Sequence, residues 1–306
     1  MTIQLQSGNE APIKVLVTGA SGQLGFELQA TCPTGYMLIA TDADTLDITQ
    51  PAQIEAALDQ YQPNVIINAA AYTAVDKAES DEANAWRINA TAPELLANAI
   101  VARRTKGQDI RLVQISTDFV FDGQQATPYL PDSPTKPLSV YGASKLAGEQ
   151  AVQCLLADAL IVRTAWLYSA HRHNFVKTML RLMADKPQLG VVYDQVGTPT
   201  WARTLANTLW ALLDKQARGI FHCADNGVAS WYDFAVAIQA EALALGMLTN
   251  AIPIKPIRSA AYPTPAQRPA FSVMDKHATE NLLATSLPHW RDSLRVMLGE
   301  LKQQTL

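Results

Sequence analysis

Ile13-Lys-Val-Leu-Val-Thr18 runs without a break into Gly19-Ala-Ser-Gly22-Gln-Leu-Gly25 and then into Phe26-Glu-Leu-Gln-Ala30. The first six residues form a short apolar run, the pattern of a parallel strand buried on both faces. The last five read as helix. Strand, glycine-rich turn and helix, in that order, turn a glycine pattern into a phosphate site. Gly19 permits the tight turn, Gly22 lets a pyrophosphate approach the backbone, and Gly25 lets the helix pack close to the strand. The unpaired N–H groups that open the helix then face the anion. The spacing is G-x-x-G-x-x-G, not the G-x-G-x-x-G of many dinucleotide dehydrogenases.

The same alternation continues downstream. Met37-Leu-Ile-Ala-Thr41 is a second strand with Asp42 at its end, where an acid can hold an adenosine ribose or cap the next turn. Asp47 follows in Leu46-Asp-Ile-Thr-Gln-Pro51, in which Thr49 and Pro51 mark a helix start, and either acid is a candidate cofactor contact. Asn64-Val-Ile-Ile-Asn68 is a third strand. It ends in Ala69-Ala-Ala71, small residues that leave room for a flat ligand outside the carboxyl edge. Residues 80–104 read as one long helix containing Asn89, either a buried structural amide or a functional one. Ile110-Arg-Leu-Val-Gln-Ile115 is a fourth strand leading to Ser116-Thr117-Asp118, whose hydroxyls can hydrogen-bond a substrate carbonyl. Leu160-Ile-Val-Arg-Thr164 is a fifth, followed by Ala165-Trp166. Strands alternating with helices predict an α/β fold with a doubly wound parallel sheet of the Rossmann type.

Beyond about residue 170 the pattern loosens. Helices are expected over 174–183, 203–215, 230–245 (capped by Ser230) and 288–302, with short strands over 219–223 and 252–257. Asp194-Gln-Val-Gly-Thr-Pro-Thr200 reads as a turn-rich loop, and Tyr262-Pro-Thr-Pro-Ala-Gln-Arg-Pro269 is irregular on account of its prolines. The expectation is a dinucleotide-binding domain in residues 1–170 mainly, and a smaller mixed α/β substrate-binding lobe in residues 171–306 mainly, with interleaved segments.

Tyr141-Gly-Ala-Ser-Lys145 opens a helix after Pro137 and Ser139. Residues four apart share a helix face, so the phenol and the ammonium serve one site. A free phenol titrates near ~10, and a cation beside it favours the phenolate. Such a pair suits protonation of a carbonyl oxygen while hydride arrives at the carbon.

Composition narrows the class. The chain has 306 residues, 48% of them hydrophobic and 17% charged, as in an ordered globular protein. A net charge of −4 gives no electrostatic footprint for nucleic acid. Cys32, Cys154 and Cys223 are odd in number and lack metal spacing, so they read as reduced thiols of a cytoplasmic protein. Residues 1–12 look like a polar extension without signal-peptide character. No apolar run nears the ~20 residues that span a bilayer, so no membrane association is expected. Among the five histidines, His171 and His173 lie two apart, off any shared helix face, and no metal set is expected.

The glycine turn, Asn68-Ala-Ala-Ala71, Ser116-Thr117-Asp118 and Tyr141-x-x-x-Lys145 together resemble the extended short-chain dehydrogenase/reductase superfamily. A finer resemblance, to the dTDP-4-dehydrorhamnose reductase family, is carried by further phrases. They are Asn68-Ala-Ala-Ala-Tyr-Thr-Ala-Val-Asp-Lys-Ala-Glu79, Ser116-Thr-Asp-Phe-Val-Phe121, Tyr141-Gly-Ala-Ser-Lys-Leu-Ala-Gly-Glu149 and Arg163-Thr-Ala-Trp-Leu-Tyr168. Asn174-Phe-Val-Lys-Thr-Met-Leu180, Asp194 to Thr200 and Ala261-Tyr-Pro-Thr-Pro-Ala-Gln-Arg-Pro269 extend the match over nearly the whole chain.

The resemblance implies reduction of a nucleotide-sugar 4-ketone by NADPH or NADH. It implies Tyr141 as proton donor, Lys145 on the nicotinamide ribose, and Thr117 on the substrate oxygen with Asp118 beside it. Trp166 would contact the sugar. Gly22, Gln23 and Leu24 would meet the cofactor phosphates, Asp42, Asp47 and Ile48 the adenosine, and Ala69, Ala70 and Ala71 the cofactor cleft. Two departures stand out. Phe119 replaces the family's usual tyrosine, so any contact of that hydroxyl is lost. Some members form homodimers around a magnesium ion held by glutamates; Glu27 matches one of these, but Arg203 stands at the matching later position and would repel a cation. The dehydratases of the superfamily use an Asp-Glu pair after the threonine, which Phe119 leaves incomplete. An alternative of another class is a non-catalytic partner subunit, like the β subunit of methionine adenosyltransferase, which resembles these reductases.

Overall fold

Six short apolar segments pair side by side and in parallel: β1 (Ile13–Thr18), β2 (Tyr36–Thr41), β3 (Val65–Asn68), β4 (Arg111–Thr117), β5 (Leu160–Thr164) and β6 (Gly219–His222). They belong to a computed structural model that describes residues 11–305. The polar extension expected at residues 1–12 lies almost wholly outside the described residues. The strand order is β2-β1-β3-β4-β5-β6, so the winding reverses between β1 and β3. Ligands of open α/β sheets bind outside the carboxyl ends at that switch point.

Period-2 alternation sorts the strand side chains onto two faces. Val15, Val17, Val65, Ile67 and Val113 face Leu24 and Leu28 of helix α1 (Gln23–Ala30), together with Leu205, Leu209 and Leu212 of the helix Ala202–Asp214. Leu16, Ile66, Leu112 and Ile161 face the other way. They meet Ile54 and Leu58 of α2 (Pro51–Tyr61), Leu96 and Ile100, and Val152 of the helix Val140–Leu155. The doubly wound parallel sheet expected from the sequence is therefore present. Its last strand and one of its covering helices come from beyond residue 200. The rest of the later chain packs around Phe234, whose ring meets those of Phe175 and Trp290.

Three local expectations change. The helix over 80–104 is interrupted: Glu82–Trp86 and Ala92–Arg104 are α-helical, and Arg87–Thr91 between them is a π turn. Pro93 has no N–H to give the Asn89 carbonyl, so the α-ladder cannot close there. Gly148 packs against that same carbonyl so tightly that a Cβ would sit 2.1 Å from it. The loop 194–200 contains two-residue strands, Val196–Gly197 and Thr200–Trp201, which pair with Ala229–Ser230 and Leu167–Tyr168. Thr49 does not cap α2; its hydroxyl turns back to Asp47. Ser139 and Ser230 do cap their helices, Ser230 in a reciprocal capping box with Asp233.

Candidate active site

A cleft of about 780 Å³ lies at the carboxyl ends of the strands. The glycine turn forms one wall. Gly19 has φ +67°, and a Cβ there would lie 2.8 Å from the Ala70 backbone. A Cβ at Gly25 would lie 2.4 Å from the Gly19 carbonyl. Gly19 thus lets the turn meet the Ala69-Ala70-Ala71 segment, and Gly25 lets α1 pack onto the turn. Gly22 differs: its φ is ordinary, −71°, and a Cβ would meet only the Gly19 carbonyl, at 3.1 Å. Gly22 starts α1, whose N-terminus has no side-chain cap and no acid in its first turn. Gly22, Gln23 and Leu24 all line the cleft, so this end of α1 suits the pyrophosphate of a dinucleotide.

Behind the cleft lining is a buried hydrogen-bonded row made by strand register. Thr18 is level with Asn68, and Asn68 with Gln114. Thr18 Oγ1 donates to Asn68 Oδ1 at 2.6 Å, Asn68 Nδ2 to Gln114 Oε1 at 2.8 Å, and Gln114 Nε2 to the Ile115 carbonyl at 3.0 Å. Lys145 Nζ donates to that same carbonyl at 2.6 Å. Lys145 is 4% exposed, and burial lowers its ammonium to about 8, with Glu149 opposing. Glu149 is itself held by Arg163 at 2.7 Å, a buried pair that ties the helix to β5.

Tyr141 lies one turn before Lys145 on that helix, half-buried, with the Phe119 ring edge-on at 5.5 Å. Burial pushes its phenol up to about 12; a hydrogen bond with Thr117 pulls down and the Asp118 charge pushes up. The i, i+4 spacing predicts that Lys145 lowers this phenol. The shift is upward instead, because desolvation dominates and the Lys145 ammonium is turned to the Ile115 carbonyl. Thr117 Oγ1 donates to Asp118 Oδ1 at 3.0 Å. Asp118 is 1% exposed, and burial pushes it up to about 6 against the Ser272 and Thr117 hydroxyls.

Trp166 lines the opposite wall with φ +46°, a left-handed conformation uncommon outside glycine. Its indole stacks on Trp231 at 3.5 Å, nearly parallel at 4°. At the far end, Asp42 Oδ2 accepts from the Ser21 backbone N–H at 2.7 Å, which fixes the acid beside the glycine turn. Asp47 Oδ1 accepts from both the N–H and the hydroxyl of Thr49, which hold its carboxyl below the usual range. Asp42, Asp47 and Ile48 line the cleft. Asn89 is a structural amide: it bonds the Tyr72 N–H and carbonyl and the Ser144 hydroxyl.

The structure thus brings every site residue expected from the sequence to one cleft. It also adds Trp231 and Arg172, which no local pattern marks. At Glu27 the residues do not fit a divalent cation. The carboxylate is fully buried, takes Ser169 Oγ at 3.0 Å and Arg203 Nε at 2.8 Å, and Arg203 reaches on to Glu300. A guanidinium sits where a cation would have to bind.

Residues 13–303 match the family described as RmlD substrate binding domain. A dTDP-4-dehydrorhamnose reductase of Burkholderia thailandensis is 40% identical over 95% of this chain and 100% of its own length. A probable dTDP-4,6-dihydroxy-2-methyloxan-3-one 4-ketoreductase of Streptomyces antibioticus is 41% identical over 92% of each chain. The crystal structure of dTDP-4-dehydrorhamnose reductase from Bacillus anthracis in complex with NADP aligns with a TM-score of 0.86 at 34% identity. That alignment covers 94% of this chain and 99% of that one.

Proposed function

The chain belongs to the RmlD substrate binding domain family, and from that premise we propose that it reduces the 4-keto group of dTDP-6-deoxy-L-lyxo-4-hexulose to dTDP-L-rhamnose with NADPH or NADH. The observation that carries the reading is the convergence of the glycine turn with Thr117, Tyr141 and Lys145 on one cleft. When bound, the reduced nicotinamide supplies hydride to the keto carbon. Gly19, Gly22, Gln23, Leu24 and Gly25 hold the pyrophosphate. Asp42, Asp47 and Ile48 surround the adenosine, and Ala69, Ala70 and Ala71 leave room for the flat rings.

Tyr141 gives its proton to the keto oxygen. Its phenol, near 12, is fully protonated at neutral pH, and an alkoxide is more basic than a phenolate, so the transfer runs downhill. Lys145 holds the nicotinamide ribose and stabilises the phenolate left behind, which regains a proton from water. Thr117 hydrogen-bonds the substrate oxygen beside Asp118, and Trp166 packs on the sugar. The Streptomyces relative motivates a second reading in which a related dTDP-ketosugar is reduced by the same residues.

Residues 1–170 serve mainly as the dinucleotide-binding domain and 171–306 mainly as the substrate-binding lobe, interleaved through β6. Cys32, Cys154 and Cys223 are free thiols, which suits the cytoplasm. Among the described residues no helix is long and apolar enough to cross a membrane. A homodimer, if formed, assembles without a bridging metal, because Arg203 already occupies Glu27.

The test is NADH and NADPH oxidation with the ketosugar, for the parent and Tyr141→Phe. The variant keeps the ring and loses the donor. Its kcat is expected to fall about 10²–10⁴-fold with cofactor Kd unchanged. Parent-like turnover in the variant would remove the assignment. No turnover by the parent, with stoichiometric capture of an adenosyltransferase, would favour the partner-subunit reading.

A further inference from the structure

We infer that Arg172 is an additional cofactor-binding residue, a cation from the second half of the chain laid across the glycine turn to take a phosphate of the bound dinucleotide. The inference rests on the dinucleotide reading of the cleft.

Arg172 lies in the loop between Leu167–Tyr168 and the helix Phe175–Asp185, with φ +59°. Glycine adopts that conformation freely and arginine only at a cost, so an arginine here calls for a reason in its side chain. Nε donates to the Ser21 carbonyl at 2.5 Å, which pins one edge of the guanidinium to the turn between Gly19 and Gly22. The remaining N–H groups, on Nη1 and Nη2, bond no described residue, and no described carboxylate pairs with them. The other two lysine and arginine side chains among the described lining residues are already engaged. Lys145 is bonded to the Ile115 carbonyl, and Arg268 is paired with Asp76 at 2.7 Å. Among the described lining residues Arg172 is therefore the guanidinium that lies on the glycine turn without a carboxylate partner, and a guanidinium fork matches phosphate oxygens.

Ser21 is gripped from both ends, by Arg172 at its carbonyl and by Asp42 at its N–H. On the dinucleotide reading, two phosphates would come within that neighbourhood: the pyrophosphate at Gly22 and, in NADPH, the 2′-phosphate of the ribose assigned to Asp42. The loop itself is placed by Asn174. Its Nδ2 donates to Gln23 Oε1 at 3.0 Å and to the Ser169 carbonyl at 2.7 Å, and its Oδ1 caps the following helix. Removing the Arg172 side chain should leave the loop in position.

The experiment measures NADPH and NADH Kd by fluorescence quenching for the parent, Arg172→Gly and Arg172→Lys, at two ionic strengths. Arg172→Gly suits the left-handed backbone, and its thermal unfolding should match or exceed the parent's. Its dinucleotide affinity is expected to fall about five- to tenfold, the range of one charge-assisted contact at an exposed site. Arg172→Lys should recover part of that loss, and the parent should be more salt-sensitive than Arg172→Gly. A loss confined to NADPH identifies the 2′-phosphate as the ligand; an equal loss for both identifies the pyrophosphate. A folded Arg172→Gly that binds both dinucleotides as tightly as the parent overturns the inference. A parent that binds neither would instead overturn the dinucleotide reading of the cleft.

Discussion

Lys145→Met should make the ligand-free protein more stable while disabling it. The ammonium is 4% exposed and is lowered from 10.5 to about 8 by burial. That fall corresponds to about 3 kcal/mol of cost for keeping the charge in the native state. Methionine has nearly the same length and carries no charge. The Ile115 carbonyl keeps a partner, because Gln114 Nε2 also donates to it at 3.0 Å, so no buried acceptor is orphaned. Allowing for the lost charged hydrogen bond, the variant should gain about 1–3 kcal/mol near neutral pH. The sign with pH follows from the two titrations. Below about 8 both states are protonated and the parent bears the full cost. Between about 8 and 10.5 the native state sheds its proton first and the unfolded state binds more, so the parent's stability rises with pH. The variant's advantage should thus be smaller by about 2 kcal/mol at about pH 9.5 than at neutral pH. Urea unfolding of both proteins without cofactor, at about pH 7 and about pH 9.5, measures it. A variant no more stable than the parent at neutral pH, or a gap that does not change with pH, would refute the reasoning. Rate and cofactor affinity should both fall in the same variant, since Lys145 is proposed to touch the ribose.

Gly22→Val should still fold, because its φ is ordinary and its Cβ meets only the Gly19 carbonyl, at 3.1 Å, a contact that a small shift relieves, yet dinucleotide titration should show strongly weakened binding. Unchanged NADPH affinity would count against a pyrophosphate at this turn. Trp166→Ala should raise the ketosugar KM more than the cofactor Kd, and equal effects on both would make the stacked Trp166–Trp231 pair a structural feature. Glu149→Gln should destabilise the fold by about 3–5 kcal/mol in urea titrations, since it strands the buried Arg163 charge. Arg163→Met in the same chain should recover much of that loss, and failure to do so would show that the pair matters through its shape alone.

Much of this protein is legible in order along the chain. Continuous apolar runs give β1, β3, β4 and β5, and the strand–glycine–helix sequence gives the phosphate wall, because backbone geometry there depends on neighbours only a few residues away. The i, i+4 spacing puts Tyr141 and Lys145 on one helix face for the same reason. Tertiary packing decided the rest. Gly219–His222 joins the sheet edge only because β5 is there to pair with it. The π turn at Arg87–Thr91 answers both to Pro93 and to a helix sixty residues on that presses Gly148 against the Asn89 carbonyl. Asn68 and Gln114 join in one buried row only through strand register, and Trp231 and Arg172 reach the cleft only when the second half of the chain folds over it. The Tyr141 phenol shows the limit most plainly. Sequence spacing supplies the cation beside it, but the direction of the shift depends on how much water the surrounding chain removes, and here desolvation is the larger effect.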